Sequence, residues 1–170
     1  SSNSFSSKML APKFWPSWAL VITAYLIARL PLTWILALGK GLGHLAYHFA
    51  RSRRHIAEIN IKLCFPELDD CDRAQLVKDN LLHTGMGLAE ATIPWLNPKR
   101  NLHKHISVVG LEHLQAARAT GKGVLLLGGH YTCIDITCQP LGAADIDVMY
   151  RANKNLVWKW LQVRGRSHFF

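Results

Sequence analysis

The sequence predicts an α/β fold in which N-terminal membrane-associated helices precede an open, mostly parallel sheet. Three observations carry this expectation. Trp15 to Leu38 is an apolar block with one charge, Arg29. From residue 105 on, strand-like and helix-like patterns alternate, which is the grammar of βαβ units. Val124-Leu-Leu-Leu127 is apolar without alternation, as expected of a parallel strand covered on both faces.

The elements follow in order. Residues 1–8 are polar and of low complexity and read as a disordered leader or a start-site artefact ahead of Met9. The leader is taken as 1–13. The apolar block that follows is long enough as a helix, at roughly 36 Å, to cross a bilayer. Its tryptophans Trp15, Trp18 and Trp34 lie towards the ends, where indole rings favour the interface. Arg29 is costly inside such a span, and Pro31 breaks the hydrogen-bond ladder. A spanning anchor and a pair of shorter helices, lying on the membrane or packed in a core, both stand. Residues 39–56 read as a basic amphipathic helix after a glycine-rich break, and 14–56 together form the anchor and interfacial unit. Positive flanks on both sides of the block put the main domain on the cytoplasmic side.

Residues 57–170 form the main domain. A helix ends at Pro66, and Asp70 or Asp72 caps the next, which runs to about Glu90. Pro94 and Pro98 mark a loop. Strands are expected at His105–Val109, Lys122–Leu127 and Ile146–Tyr150, and helices at Leu111–Ala119, Thr132–Gln139 and Leu156–Val163.

Composition narrows the function. The chain has 170 residues, is 49% hydrophobic and 18% charged, and carries a net charge of +9, which excludes a disordered chain. Its four cysteines are too few and too scattered for a disulfide-stapled scaffold. The basic residues are dispersed and no nucleic-acid-binding motif is present, so nucleic acid is not expected as a partner. His103, His105 and His113 lack ligand spacing for a metal, and no cofactor is expected.

The candidate site is Gly128-Gly129-His130-Tyr-Thr-Cys-Ile-Asp135, at the carboxyl end of the expected strand. Two glycines allow a sharp turn and close approach of a substrate. An acid bonded to one imidazole nitrogen fixes the tautomer and frees the other nitrogen as a base. Read from the residues alone, His130 and Asp135 are either a general-base dyad or a structural His-Asp hydrogen bond. Cys133 is read as a small buried residue rather than a nucleophile. Glu90 is read as a polar face or domain contact with a chance of lining the cleft. Residues 151–170 hold Arg151, Lys154, Lys159, Arg164 and Arg166 and no acid, which suits an anionic ligand or an ordinary solvated face.

The Gly-Gly-His-x4-acid element resembles the signature of the lipid A late acyltransferases, the lauroyl/myristoyl type, within a wider group that includes glycerol-phosphate acyltransferases. Phe14-Trp-Pro, Asn60…Cys64-Phe-Pro-Glu67, Gly110-Leu-Glu-His-Leu114, Gly121-Lys-Gly123 and Tyr150-Arg151…Trp160…Arg164-Gly-Arg166 fall in that family's order. The resemblance implies the open sheet of the glycerol-phosphate-acyltransferase type. It implies transfer of a fatty acyl chain from an acyl carrier protein thioester to a hydroxyl of a phosphorylated glycolipid, a lipid A precursor, at the bacterial inner membrane. His130 is then the general base, Asp135 its orienting partner, and Arg166 stabilises the oxyanion or holds a phosphate. Gly129, Arg151 and Arg164 are the substrate-binding candidates. Asp135 stands where many members of the lipid A branch carry Glu, which keeps open the glycerol-phosphate type, acting on phospholipid precursors. Members of the family are longer, so the chain is expected to be the N-terminal part of an enzyme, with an inactive membrane-bound fragment as the alternative.

Overall fold

The computed structural model of the chain describes residues 5–129, 131–132, 136, 147 and 153–166. Seven α-helices run through the described residues: α1 (Trp15–Ile27), α2 (Leu32–Phe49), α3 (Arg51–Cys64), α4 (Asp70–Glu90), α5 (Thr92–Leu96), α6 (Leu111–Ala119) and α7 (Leu156–Arg166). Short 3-10 turns occupy Ser7–Leu10, Pro12–Phe14 and His103–His105.

The expected spanning anchor is not formed. Pro31 has no N–H to give and sits at the N-cap of α2, so the apolar block splits into α1 and α2. Thirteen residues of α1 extend about 20 Å, short of the roughly 30 Å of hydrocarbon in a bilayer. No helix among the described residues is long and apolar enough to cross a membrane. Arg29 lies exposed in the turn and caps α1. Its Nη1 donates to the Tyr25 carbonyl at 2.8 Å, and its guanidinium lies 3.2 Å from the Tyr25 ring centroid.

The glycines expected to break the chain at residue 39 lie inside α2 and do the opposite of breaking it. They let α4 approach antiparallel, backbone to backbone. A Cβ on Gly43 would stand 2.5 Å from the Leu82 Cα, and one on Gly39 would stand 2.6 Å from the Met86 Cα. From the other side, a Cβ on Gly85 would strike the Gly39 carbonyl and the Gly43 backbone. Glycine every fourth residue on α2, facing Gly85 and Ala89 on α4, makes the contact reciprocal. Gly41, two residues from either, faces open space.

Around this contact the chain builds two apolar clusters. Ile35, Ala89, Ile93 and Leu102 form one, with Ile106 and Ile136 packed against it. Met9, Phe14, Val21, Val157 and Leu161 form the other, flanked by Trp18, Trp95, Trp158 and Trp160. The segment expected as a leader thus contributes Met9 to a core, and the Phe5 ring lies 6.1 Å from both Trp18 and Trp160. α5 belongs to both clusters, through Ile93 and Trp95. Pro94, expected in a loop, sits inside α5. The turn after α5 ties down the end of α1. Asn97 Nδ2 donates to the Ala28 carbonyl, and Arg100 Nη1 donates to the carbonyls of Ala28 (3.2 Å) and Leu30 (2.6 Å). These carbonyls have no partner within α1 and would otherwise be left open.

α4 begins where expected, but Asp69 caps it: its Oδ1 accepts from the Asp72 N–H at 2.8 Å. α6 has the expected bounds, entered through Gly110 (φ 84°) and left near Gly121 (φ 72°). α7 runs on to Arg166.

The parallel sheet is contradicted: there is no strand among the described residues. His103–His105 is a 3-10 turn and residues 106–109 are extended without a ladder. Val124–Leu127 is also unpaired, with Leu125 and Leu127 at 92% and 98% exposure. An apolar run specifies a demand for burial, whereas a strand also requires a neighbour to pair with, and here the core is filled by helix against helix. The helix expected at Thr132–Gln139, apart from Thr132 and a helical Ile136, lies outside the described residues, as does the strand expected at Ile146–Tyr150, Asp147 apart.

The glycine contact sets the first test. Gly43→Ala should destabilise the chain by about 1–3 kcal/mol through overpacking. Gly41→Ala should stabilise it by about 0.5–1 kcal/mol, because it adds helix propensity in open space. Denaturation midpoints of the two variants should therefore move in opposite directions.

Candidate functional site

The segment that carries the Gly-Gly-His motif reaches its first fixed contact on α4. A Cβ added to Gly87 would lie 2.7 Å from both the Cβ and the carbonyl oxygen of Thr132. Only a glycine at that point of α4 leaves room for this backbone. Four residues further on, Ile136 packs against the cluster of Ile35, Ala89, Ile93 and Leu102. Thr132 therefore rests on the C-terminal half of α4, and Ile136 on the cluster that α2, α4 and α5 share. Gly129 precedes them outside any helix or strand, and a Cβ there would meet the Tyr131 ring at 2.9 Å.

Of the sequence-predicted site residues, His130, Asp135 and Arg151 lie outside the described residues, as does Cys133. Arg166 is the last residue of α7. Arg164 is exposed, its guanidinium 5.3 Å from the Trp160 ring centroid. The glycine between the two arginines has a structural reason. A Cβ on Gly165 would stand 2.7 Å from the Trp95 Cα, so α7 lies on α5 only because that Cβ is missing. The Trp95 indole N–H beside it is buried and has no hydrogen-bond partner among the described residues.

Two groups that sequence reasoning underrated belong to this half of α4. Gly87 was legible only as part of the Gly85-Met-Gly87 pair ahead of Glu90. Glu90 is half-buried at the end of α4, and burial holds its carboxyl above the usual carboxylate range, an effect partly offset by His83. At the other end of α4, an open depression between α2, α3 and α4 is lined by Tyr47, Glu58, Lys62, Asp70 and Arg73. Its charges serve the fold. Arg73 Nη2 donates to Asp70 at 2.7 Å and holds that carboxyl below its usual range, while Arg73 Nη1 donates to the Leu68 carbonyl.

The model of the bacterial lipid A biosynthesis acyltransferases matches residues 2–170. The chain belongs to that family. It is 35% identical over 163 residues to the lipid A biosynthesis lauroyltransferase of Escherichia coli K12, an alignment covering 95% of this chain and 53% of that protein. It is 31% identical over 168 residues to the palmitoleoyltransferase of the same strain, again covering 95% and 53%. To the myristoyltransferase of that strain it is 25% identical over 166 residues, covering 95% and 51%. The chain spans about half the length of the curated relatives it matches. No solved structure matches it.

The seat of α7 gives this family member a local test. Gly165→Ala should push α7 off α5. The expected result is a stability lower by about 1–3 kcal/mol, read as a lower denaturation midpoint, with a red shift of indole emission as Trp95 gains water.

Proposed function

We propose that the intact protein transfers a fatty acyl chain from an acyl carrier protein thioester to a hydroxyl of a phosphorylated glycolipid, a lipid A precursor. The observation that carries this reading is membership of the acyltransferase family along the whole chain, with Gly128-Gly129-His130-x4-Asp135 in place within it. The donor and the dyad mechanism are part of the proposal.

The chemistry needs little machinery, because a thioester is already an activated acyl group. The imidazole of His130 takes the proton of the acceptor hydroxyl as its oxygen attacks the thioester carbon. Asp135 fixes the tautomer and stabilises the imidazolium. The carbonyl oxygen becomes an oxyanion, for which Arg166 is the candidate donor, with Arg164, Arg151 and the Gly129 backbone near the substrate. The intermediate collapses, the C–S bond breaks, and the imidazolium returns its proton to the leaving thiolate. His130→Ala in the intact protein should lower turnover at least about 100-fold. Near-normal turnover in that variant would reject the dyad.

The N-terminal helices support a membrane seat, in the inner membrane with the main domain on the cytoplasmic side. With roughly 100° between successive residues, α2 divides into three arcs. Ile35, Gly39 and Gly43 face α4. Thr33, Lys40, His44 and His48 fall on a polar arc. Trp34, Leu38, Leu42, Leu45 and Phe49 fall within about 80° of each other and are exposed, Trp34 at 64% and Phe49 at 79%. α3 continues the stripe with exposed Ile56, Ile59 and Leu63. No acidic residue precedes Glu58, while Lys8, Lys13, Arg29, Lys40, Arg51, Arg53 and Arg54 do. An apolar stripe on short helices in an acid-free, basic segment suits in-plane insertion into an anionic leaflet.

Each large apolar side chain is worth about 2 kcal/mol on burial. Replacing Leu42 and Phe49 by Glu should therefore reduce co-flotation with phosphatidylglycerol-containing vesicles at least about tenfold. Undiminished flotation would place the membrane contact elsewhere.

A further inference from the structure

Glu90 is a carboxylate of α4 on which burial is the largest influence and for which the described residues supply no hydrogen-bond or ion-pair partner. It is half-buried. At the start of α4, by contrast, Asp69 caps the helix and Asp70 holds Arg73. A carboxylate withdrawn from water without a partner costs stability. Exposed His83 acts on it in the opposite direction, by less than the burial does.

Its position is more telling than its burial. His83, Gly87 and Glu90 are spaced i, i+4 and i+7 and so share one face of α4. Gly87 is where the Thr132 backbone is seated, and Thr132 is two residues from His130 in the chain. Ala89, next to Glu90, belongs to the cluster against which Ile136 packs, one residue past Asp135. Glu90 thus shares a face of α4 with Gly87, on which the Thr132 backbone is seated, and follows in the chain a residue of the cluster that holds Ile136.

We propose that Glu90 is an acceptor-positioning residue: its carboxylate takes a hydrogen bond from a hydroxyl of the sugar acceptor and holds that alcohol on the face of α4 where Thr132 is seated. This rests on the acyl-transfer reading and deepens it on the acceptor side. A carboxylate with open lone pairs is a common solution for gripping sugar hydroxyls, because it accepts without competing as a donor. Glu90 is not required to exchange a proton, and the chemistry at the thioester is unchanged. A stability cost tolerated beside a reaction site is what a functional group shows.

The test uses the intact protein with wild-type, Glu90→Gln, Glu90→Ala and Glu90→Asp forms. It measures steady-state transfer from an acyl carrier protein thioester to a phosphorylated glucosamine disaccharide lipid, and equilibrium binding of that glycolipid alone. The Gln and Ala variants should lower kcat/KM for the glycolipid and weaken its binding by about 10- to 100-fold, the size of a lost hydrogen bond to a charged group. The KM for the thioester should stay within about twofold, since no contact to the donor is removed. Asp should recover part of the loss. The Gln variant should melt at or above the wild-type temperature at neutral pH, because it removes a half-buried charge that has no partner among the described residues. Unchanged glycolipid binding and kcat/KM in the Gln variant would overturn the proposal. So would an equal loss for both substrates together with a lower melting temperature, the mark of a purely structural role. Failure of the parent reading looks different: wild type would transfer no acyl chain, or His130→Ala would transfer it normally, and the proposal would fall with it.

Discussion

The backbone contact between α2 and α4 is the constraint from which the rest of the molecule is built. Gly39, Gly43 and Gly85 remove the side chains that would hold the two helices apart, and the helices close until carbonyls and α-carbons touch. Such packing is gained at a known cost, since glycine inside a helix loses about 0.5–1 kcal/mol relative to alanine. The return is a fixed register. With Gly43 against Leu82 and Gly39 against Met86, Ile35 meets Ala89 and Ile93, and the C-terminal turns of α4 are delivered to one place. The Gly87 face that carries Thr132 is at that end.

The same contact explains why α2 can serve two masters. One arc is consumed by α4, leaving Trp34, Leu38, Leu42, Leu45 and Phe49 exposed among the described residues. α1 is apolar nearly all round and buries only the line of Ser17, Val21 and Ala28. Arginines close the breaks between these helices. Arg29 caps α1, Arg100 reaches back to the Ala28 and Leu30 carbonyls, and Arg54 donates to the Tyr47 carbonyl across the α2–α3 junction. Each places a cation at a helix C-terminus, where the dipole favours it. The result is a short-helix platform, greasy outside and basic at its turns, rather than one long rod.

How much of this was legible in the sequence depends on the type of signal. Local chemistry reads well: the start of α4 (capped by Asp69, one residue before the expected Asp70), Gly110 and Gly121 around α6, and Pro31 as a break are side-chain effects within a few residues. Pairing does not read. Val124–Leu127 and the run at 105–109 carry the right residues for strands, yet whether a run pairs is decided by what lies beside it, and the described residues put nothing there. Small-residue contacts also escaped, because glycines at 39 and 43 look like a loop until spacing by four is matched to Gly85 and Ala89. The Gly-Gly-His-x4-Asp motif was legible by family resemblance. Its support on Gly87 was not, since that contact joins residues far apart in the chain.

Amide hydrogen exchange on the 170-residue chain tests this account most directly. A platform built on the α2–α4 contact predicts that Gly39–Gly43 and Leu81–Ala89 exchange slowest and together, through global unfolding. It predicts that the amides of Val124–Leu127, extended and unpaired, exchange at nearly the rate of a free peptide. Protection of Val124–Leu127 equal to that of α4 would mean that a ladder forms there, and the helical account would be wrong.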